Sequence, residues 1–191
     1  MMSLTEHAWS RLHEVRLKGM VQGAEDEHTT VLVEAGFAAR RGAATVLTAV
    51  GREVHAEWAR LPEGSEEAAT ARRAYDQFLL LDRDVKELTT AWQMGAANAR
   101  PDGYTPEEWK IIDRLTAVDE KAGPILLKLG RAVPRFAPYR ARLSRALSQL
   151  EEGDRRWLSG LTCDSYHTVW WQLHEDLLTA LAIDRSDDPN Q

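Results

Sequence analysis

The densest chemistry in this chain lies in Asp164-Ser165-Tyr166-His167-Thr168-Val169-Trp170-Trp171-Gln172-Leu173-His174-Glu175. At about 100° per residue, His167, Trp171, His174 and Leu178 share one helical stripe, with Tyr166, Trp170, Leu173, Leu177 and Leu181 on an apolar stripe about a quarter-turn away. Imidazoles titrate near neutrality, so two on one face beside an indole can hold an anion or move a proton. They are seven residues apart, about 10.5 Å along the axis. One metal ion on a helix is held at spacings of three or four, so no metal site is expected. Two readings stand: a small-ligand or phosphate pocket built from His167, Trp171, His174 and Tyr166, or histidines satisfied within a packed helix. A carboxylate from another helix could join either, with Asp82, Asp84, Glu87, Asp113, Asp119 and Glu120 as candidates.

The second group is cationic. Arg40, Arg41, Arg52, Arg155 and Arg156 carry guanidinium forks that match phosphate oxygens, so they are candidate DNA or anion contacts. Arg155 and Arg156, beside Trp157, also read as a solvated helix start. No glycine-rich phosphate loop, Gly-x-Ser-x-Gly elbow or His-Glu-x-x-His occurs. No catalytic residue and no cofactor are therefore expected, and a noncatalytic role is preferred to an enzymatic one. Cys163 is the single cysteine, too few for an internal disulfide or a thiolate zinc site, which suits a reducing, cytoplasmic setting.

These residues need elements to position them. From Ala74 through Phe78, Leu81, Val85, Leu88 and Trp92 the apolar spacing alternates four and three, one stripe of a long helix. Thr105-Pro106-Glu107-Glu108 predicts a helix start with a capping box, followed by a buried face of Ile111, Leu115, Val118 and Ala122. Phe136, Tyr139, Leu143, Leu147 and Leu150 form a third stripe that Gly153 ends, and the last helix runs from near Asp164 or Ser165 to about Ile183. Four such helices bury their stripes by packing into a four-helix bundle, expected over residues 65–185, with 186–191 as a disordered tail.

Before Pro62 the pattern changes. Thr5 to Lys18 reads as a helix ended by Gly19, and about Glu25 to Ala35 as a weaker one. Phe37 to Arg40, a turn at Arg41-Gly42-Ala43, and Thr45 to Thr48 suit a hairpin, and Ala49 to Leu61 returns to helix. The expected fold class is mainly α: a reduced winged-helix module with a small β-hairpin wing over residues 1–61, then the bundle.

The order of these pieces, with Glu34-Ala35-Gly36-Phe37, Arg40-Arg41-Gly42 and Leu47-Thr48-Ala49-Val50-Gly51-Arg52, resembles the wing and following helix of MarR-type transcriptional regulators. The closing string Asp164 to Glu175, together with Tyr75-Asp76-Gln77-Phe78-Leu79, Ala91-Trp92-Gln93, Pro134-Arg135-Phe136 and Arg155-Arg156-Trp157-Leu158, resembles an actinobacterial family of small winged-helix proteins. That family also occurs as a C-terminal extension of pyruvate, phosphate dikinase-like (PEP-utilising) proteins. Its pattern reads Trp-Phe-Glu where this chain has Trp170-Trp171-Gln172. The resemblance implies a MarR-like fold and a protein partner, namely a PEP-utilising phosphotransferase, in a homodimer or hetero-complex. It implies no catalytic residues.

Composition narrows the partner. The chain has 191 residues, is 43% hydrophobic and 28% charged, and carries a net charge of -6. That is a globular composition without an apolar run long enough to span a membrane. Residues 1–60 hold seven cations against eight acids, and Glu25-Asp26-Glu27 opens the stretch where a DNA-recognition helix would lie. Only 16 residues separate Gly19 from Gly36, short for two helices and a turn. Nonspecific affinity for nucleic acid rests on clustered Lys and Arg. The expected function is therefore a noncatalytic accessory or regulatory protein that binds a protein partner. A MarR-like DNA-binding regulator is the alternative, and a ligand-binding or enzymatic bundle using His167 and His174 the third reading.

Overall fold

The computed structural model describes residues 4–23, 26–95 and 103–190. The protein is mainly helical with one small antiparallel sheet, and the chain divides into two compact units, Met1–Arg60 and Leu61–Gln191.

In the first unit, α1 spans Glu6–Lys18; the Thr5 hydroxyl accepts from the Ala8 N–H at one end, and Gly19 at φ 74° ends the other. Strand β1 (Val21–Gln22) precedes α2 (Glu27–Glu34), which the Asp26 carboxylate caps. Strands β2 (Ala38–Arg41) and β3 (Ala44–Leu47) form a hairpin in which Arg41 faces Ala44 and Gly42 takes φ 61°, a value that favours glycine. The sheet order is β1-β3-β2, so β3 is central. Helix α3 (Ala49–Ala59) starts on a Thr48 cap. The core is Leu4, Ala8, Leu12, Val15, Leu32, Ala38 and Leu47, with Trp9, Val31 and Phe37 packed at its edge.

In the second unit, α4 spans Glu66–Gly95 and buries the whole expected stripe from Ala74 to Trp92. Helix α5 (Pro106–Ala132) opens with both halves of the Thr105–Glu108 capping box. A 3-10 turn at Pro134–Phe136 leads into α6 (Ala137–Glu151), and a single helical turn, α7 (Arg156–Ser159), comes before α8 (Tyr166–Ala180). Helix α4 packs on α5, α5 on α6, α6 on α8, and α8 back on α4, so each apolar stripe finds two neighbours.

Three expectations change. The buried face of α5 uses Ile112, 1% exposed, in place of Ile111, because the stripe through Leu115, Val118 and Ala122 extends back by three. Helix α8 stops at Ala180, where Leu181 and then Ala182 at φ 52° turn the chain. The expected disordered tail is, over residues 186–190, held against α4 and α8: Asp188 and Asn190 are buried, and the Asn190 amide donates to the Leu79 carbonyl at 2.8 Å. Gln191 lies outside the described residues.

Candidate functional site

The richest polar cluster joins α4, α8 and the returning C-terminal segment. Asp82, 2% exposed, accepts from the Trp170 indole N–H at 3.0 Å and from the Asn190 amide at 3.3 Å, and pairs with Lys86 Nζ at 3.0 Å. Lys86 also donates to the Asn190 carbonyl. The Tyr75 hydroxyl donates to Asp188 Oδ1 at 2.9 Å, and His174 Nε2 lies 3.1 Å from Asp188 Oδ2. That approach lacks hydrogen-bond alignment, which makes His174–Asp188 an electrostatic contact rather than a hydrogen bond. Phe78 packs on the His174 ring with centroids 4.9 Å apart. Burial lowers the His174 pKa against the opposing pull of Asp188 and Asp82, so the imidazole favours its neutral form. Burial and the Asp188 carboxylate push the Tyr75 hydroxyl far up, keeping it a donor.

The other three residues of the expected pocket meet different partners. Tyr166 is buried with its hydroxyl on Asp119 at 3.3 Å. Trp171 is 40% exposed, with the Arg185 guanidinium 5.9 Å from its ring. His167 is half-buried, and its pKa is lowered by burial. His167 and His174 thus share a helical stripe and both feel Asp82 and Lys86, but only His174 reaches Asp188, and Trp171 between them stays exposed. Of the proposed carboxylates, Asp82 and Asp119 face α8. Asp84 and Glu87 reach Arg114 across α4 and α5, and Asp113 and Glu120 are exposed.

Two more buried carboxylates tie α8 down. Asp176, 1% exposed, takes Arg135 Nε at 3.0 Å and the Tyr139 hydroxyl at 3.2 Å. Asp119 takes Arg140 at 2.7 Å. Arg142 spans Asp164 and the Gln172 side chain, at 3.0 and 2.6 Å. Each charge that leaves water here finds an opposite charge or a donor, the condition for tolerating it. Sequence reasoning names Asp82 and Asp119 among its candidate carboxylates and misses Asp176 and Asp188. The one signal for Asp176 is an acid beside the stripe residues Leu173 and Leu177.

The cationic candidates divide as well. Arg155 is bound to Glu108 and the Gly103 carbonyl and lies 4.8 Å over the Tyr104 ring. Its hydrogen bond is the main reason the Glu108 carboxyl titrates low. Arg156 is exposed and paired with Asp154 at 2.8 Å. Arg52 donates to the Leu47 carbonyl at 2.9 Å, capping the strand end. Each of these three thus has a partner within its own unit, and Arg52 and Arg156 remain exposed. Arg40 and Arg41 are exposed on β2, and as adjacent strand residues they project to opposite faces of the hairpin.

The first unit adds an aromatic cluster. His13 Nδ1 is 2.9 Å from His55 Nε2, joining α1 to α3, and Trp9 stacks on Trp58 at 5.0 Å. His7 stacks on His28 at 5.3 Å, joining α1 to α2. Among the described residues no group of three or more His, Cys, Asp or Glu could hold a metal ion, and no helix is long and apolar enough to cross a membrane. The chain matches no known protein family, no curated protein and no solved structure.

Proposed function

We propose that the protein is a noncatalytic accessory or regulatory protein in which a reduced winged helix is joined to a four-helix bundle that binds a protein partner, a PEP-utilising phosphotransferase. The observation that carries this reading is the acidic start of α2. Asp26 caps the helix, accepting from the Thr29 N–H at 2.9 Å, and pairs with Arg11 at 2.9 Å. The backbone hydrogen bond holds its carboxyl below the ordinary range. With Arg11 offsetting Asp26, the exposed charge at this end is that of Glu27, which opposes a nucleic-acid backbone and suits a protein surface carrying Lys or Arg. The internal pairing of Asp82, Asp119 and Asp176 supports a scaffold role for the bundle. The partner itself comes from the sequence resemblance. Purification of the tagged chain from its native host should recover the phosphotransferase; its absence under gentle conditions sinks that partner.

A MarR-like DNA-binding regulator is the second reading, favoured by the exposed Arg40 and Arg41 beside the Gly42 turn. A winged helix places such residues on phosphates or in the minor groove. A mobility shift with the protein's own promoter region at low salt, abolished by Arg40→Ala with Arg41→Ala, would establish it. No shift removes it.

A further inference from the structure

We propose that the groove between α4 and α5 binds a compact organic anion with an apolar body, of which a medium-chain monocarboxylate is the simplest example. The cavity is about 270 Å³ and is lined from α4 by Thr70, Arg73, Ala74 and Gln77 and from α5 by Pro124, Ile125, Lys128 and Leu129. That volume is at the small end of ligand pockets. Its wall is apolar at Ala74, Pro124, Ile125 and Leu129, and Pro124 offers a ring with no N–H. Beneath it, sharing Ala74, Ile125 and Leu129, is a wholly apolar void of about 10 Å³ that reaches Phe78 and Trp170.

The cations decide the ligand's charge. Arg73 and Lys128 face the same cavity from opposite helices, and neither meets a carboxylate among the described residues. The lining holds no acid beside these two cations, whereas Arg114, Arg135, Arg140, Arg142 and Arg155 elsewhere in the unit each sit on an acid. One Arg73 NH₂ group donates to the Thr70 hydroxyl at 3.0 Å, and Thr70 is 5% exposed. This bond holds the guanidinium at the groove while its remaining N–H groups stay available. A carboxylate accepting from Arg73 and Lys128 would lay its chain along Ala74, Ile125 and Leu129. Both cations are exposed, so their pull is screened, and the apolar wall must supply part of the affinity.

The probe is octanoate, titrated calorimetrically into the full chain at low ionic strength, with octan-1-ol as the uncharged control. Saturable one-to-one binding is expected, weaker by roughly tenfold or more for octan-1-ol and for the Arg73→Gln, Lys128→Gln double variant, since a charge-assisted pair is lost in each. Methyl chemical shifts should move at Ile125 and Leu129. Binding of octan-1-ol as tightly as octanoate, full affinity in the double variant, unmoved Ile125 and Leu129 methyls, or no saturation with millimolar octanoate would each overturn the proposal. The inference is independent of the first unit and of any protein partner.

Discussion

His174 links burial to pH. The groups facing it are Asp188, Asp82, Glu175 and Lys86, with the Tyr75 and Phe78 rings against the imidazole. Burial lowers its folded pKa below the unfolded value of about 6.5. The unfolded chain therefore takes up the proton first as pH falls, so the native state loses stability from about pH 6.5 down to the folded pKa. His167, lowered by the same cause, adds a contribution of the same sign. Urea midpoints between pH 7.5 and 5.5 should fall in the parent and fall less in His174→Phe, which keeps a ring against Phe78 and removes one titration. Equal falls in both proteins would assign the effect to other groups.

At the scale of elements, the clearest constraint is where α3 meets the β2 entrance. The Phe37 carbonyl accepts from the Thr48 N–H at 3.0 Å and from the Thr48 hydroxyl at 3.2 Å, and that hydroxyl accepts in turn from the Gly51 N–H at 3.0 Å. A Cβ at residue 51 would overlap the Phe37 carbonyl, backbone that cannot swing aside as a side chain does. Gly51→Ala should cost roughly 3 kcal/mol or more despite its better helix propensity, because it must part α3 from the hairpin. Chemical denaturation followed in the first unit measures it, and a neutral result would show that α3 can slide. Sequence signals located this corner through Thr48 and Gly51, and they located the stripes of α4, α5 and α6 and the Thr105 cap, because periodicity and capping are local. They could not show β1, whose two residues carry no alternation and gain their place only by pairing with β3. They also missed the docking of Asp188 and Asn190, which depends on Tyr75, Leu79 and Asp82 more than a hundred residues away in the chain. The two-histidine stripe was legible but its burial was not: spacing tells which residues share a helix face, and packing decides which part of the face is covered.

For the whole molecule, the division at Arg60 sets up a difference in stability. A unit of 60 residues buries about 60% of the surface its unfolded chain exposes, and a 131-residue unit somewhat more, so the smaller holds the thinner margin. The first unit rests on a core of seven buried apolar side chains, two of them alanine. The second has long aliphatic and aromatic stripes on four helices and the ionic locks at Asp82, Asp119 and Asp176. Unfolding by urea should therefore show two transitions, the earlier in the first unit and the later in the second. Trp9 and Trp58 report the first unit and Trp92 and Trp170 the second, so single-tryptophan versions can separate the transitions by fluorescence. Gly51→Ala should lower the earlier midpoint and leave the later one in place, and residues 61–191 expressed alone should keep the later transition. One coincident transition in the intact chain, shifted as a whole by Gly51→Ala, would mean the two units unfold as one cooperative body.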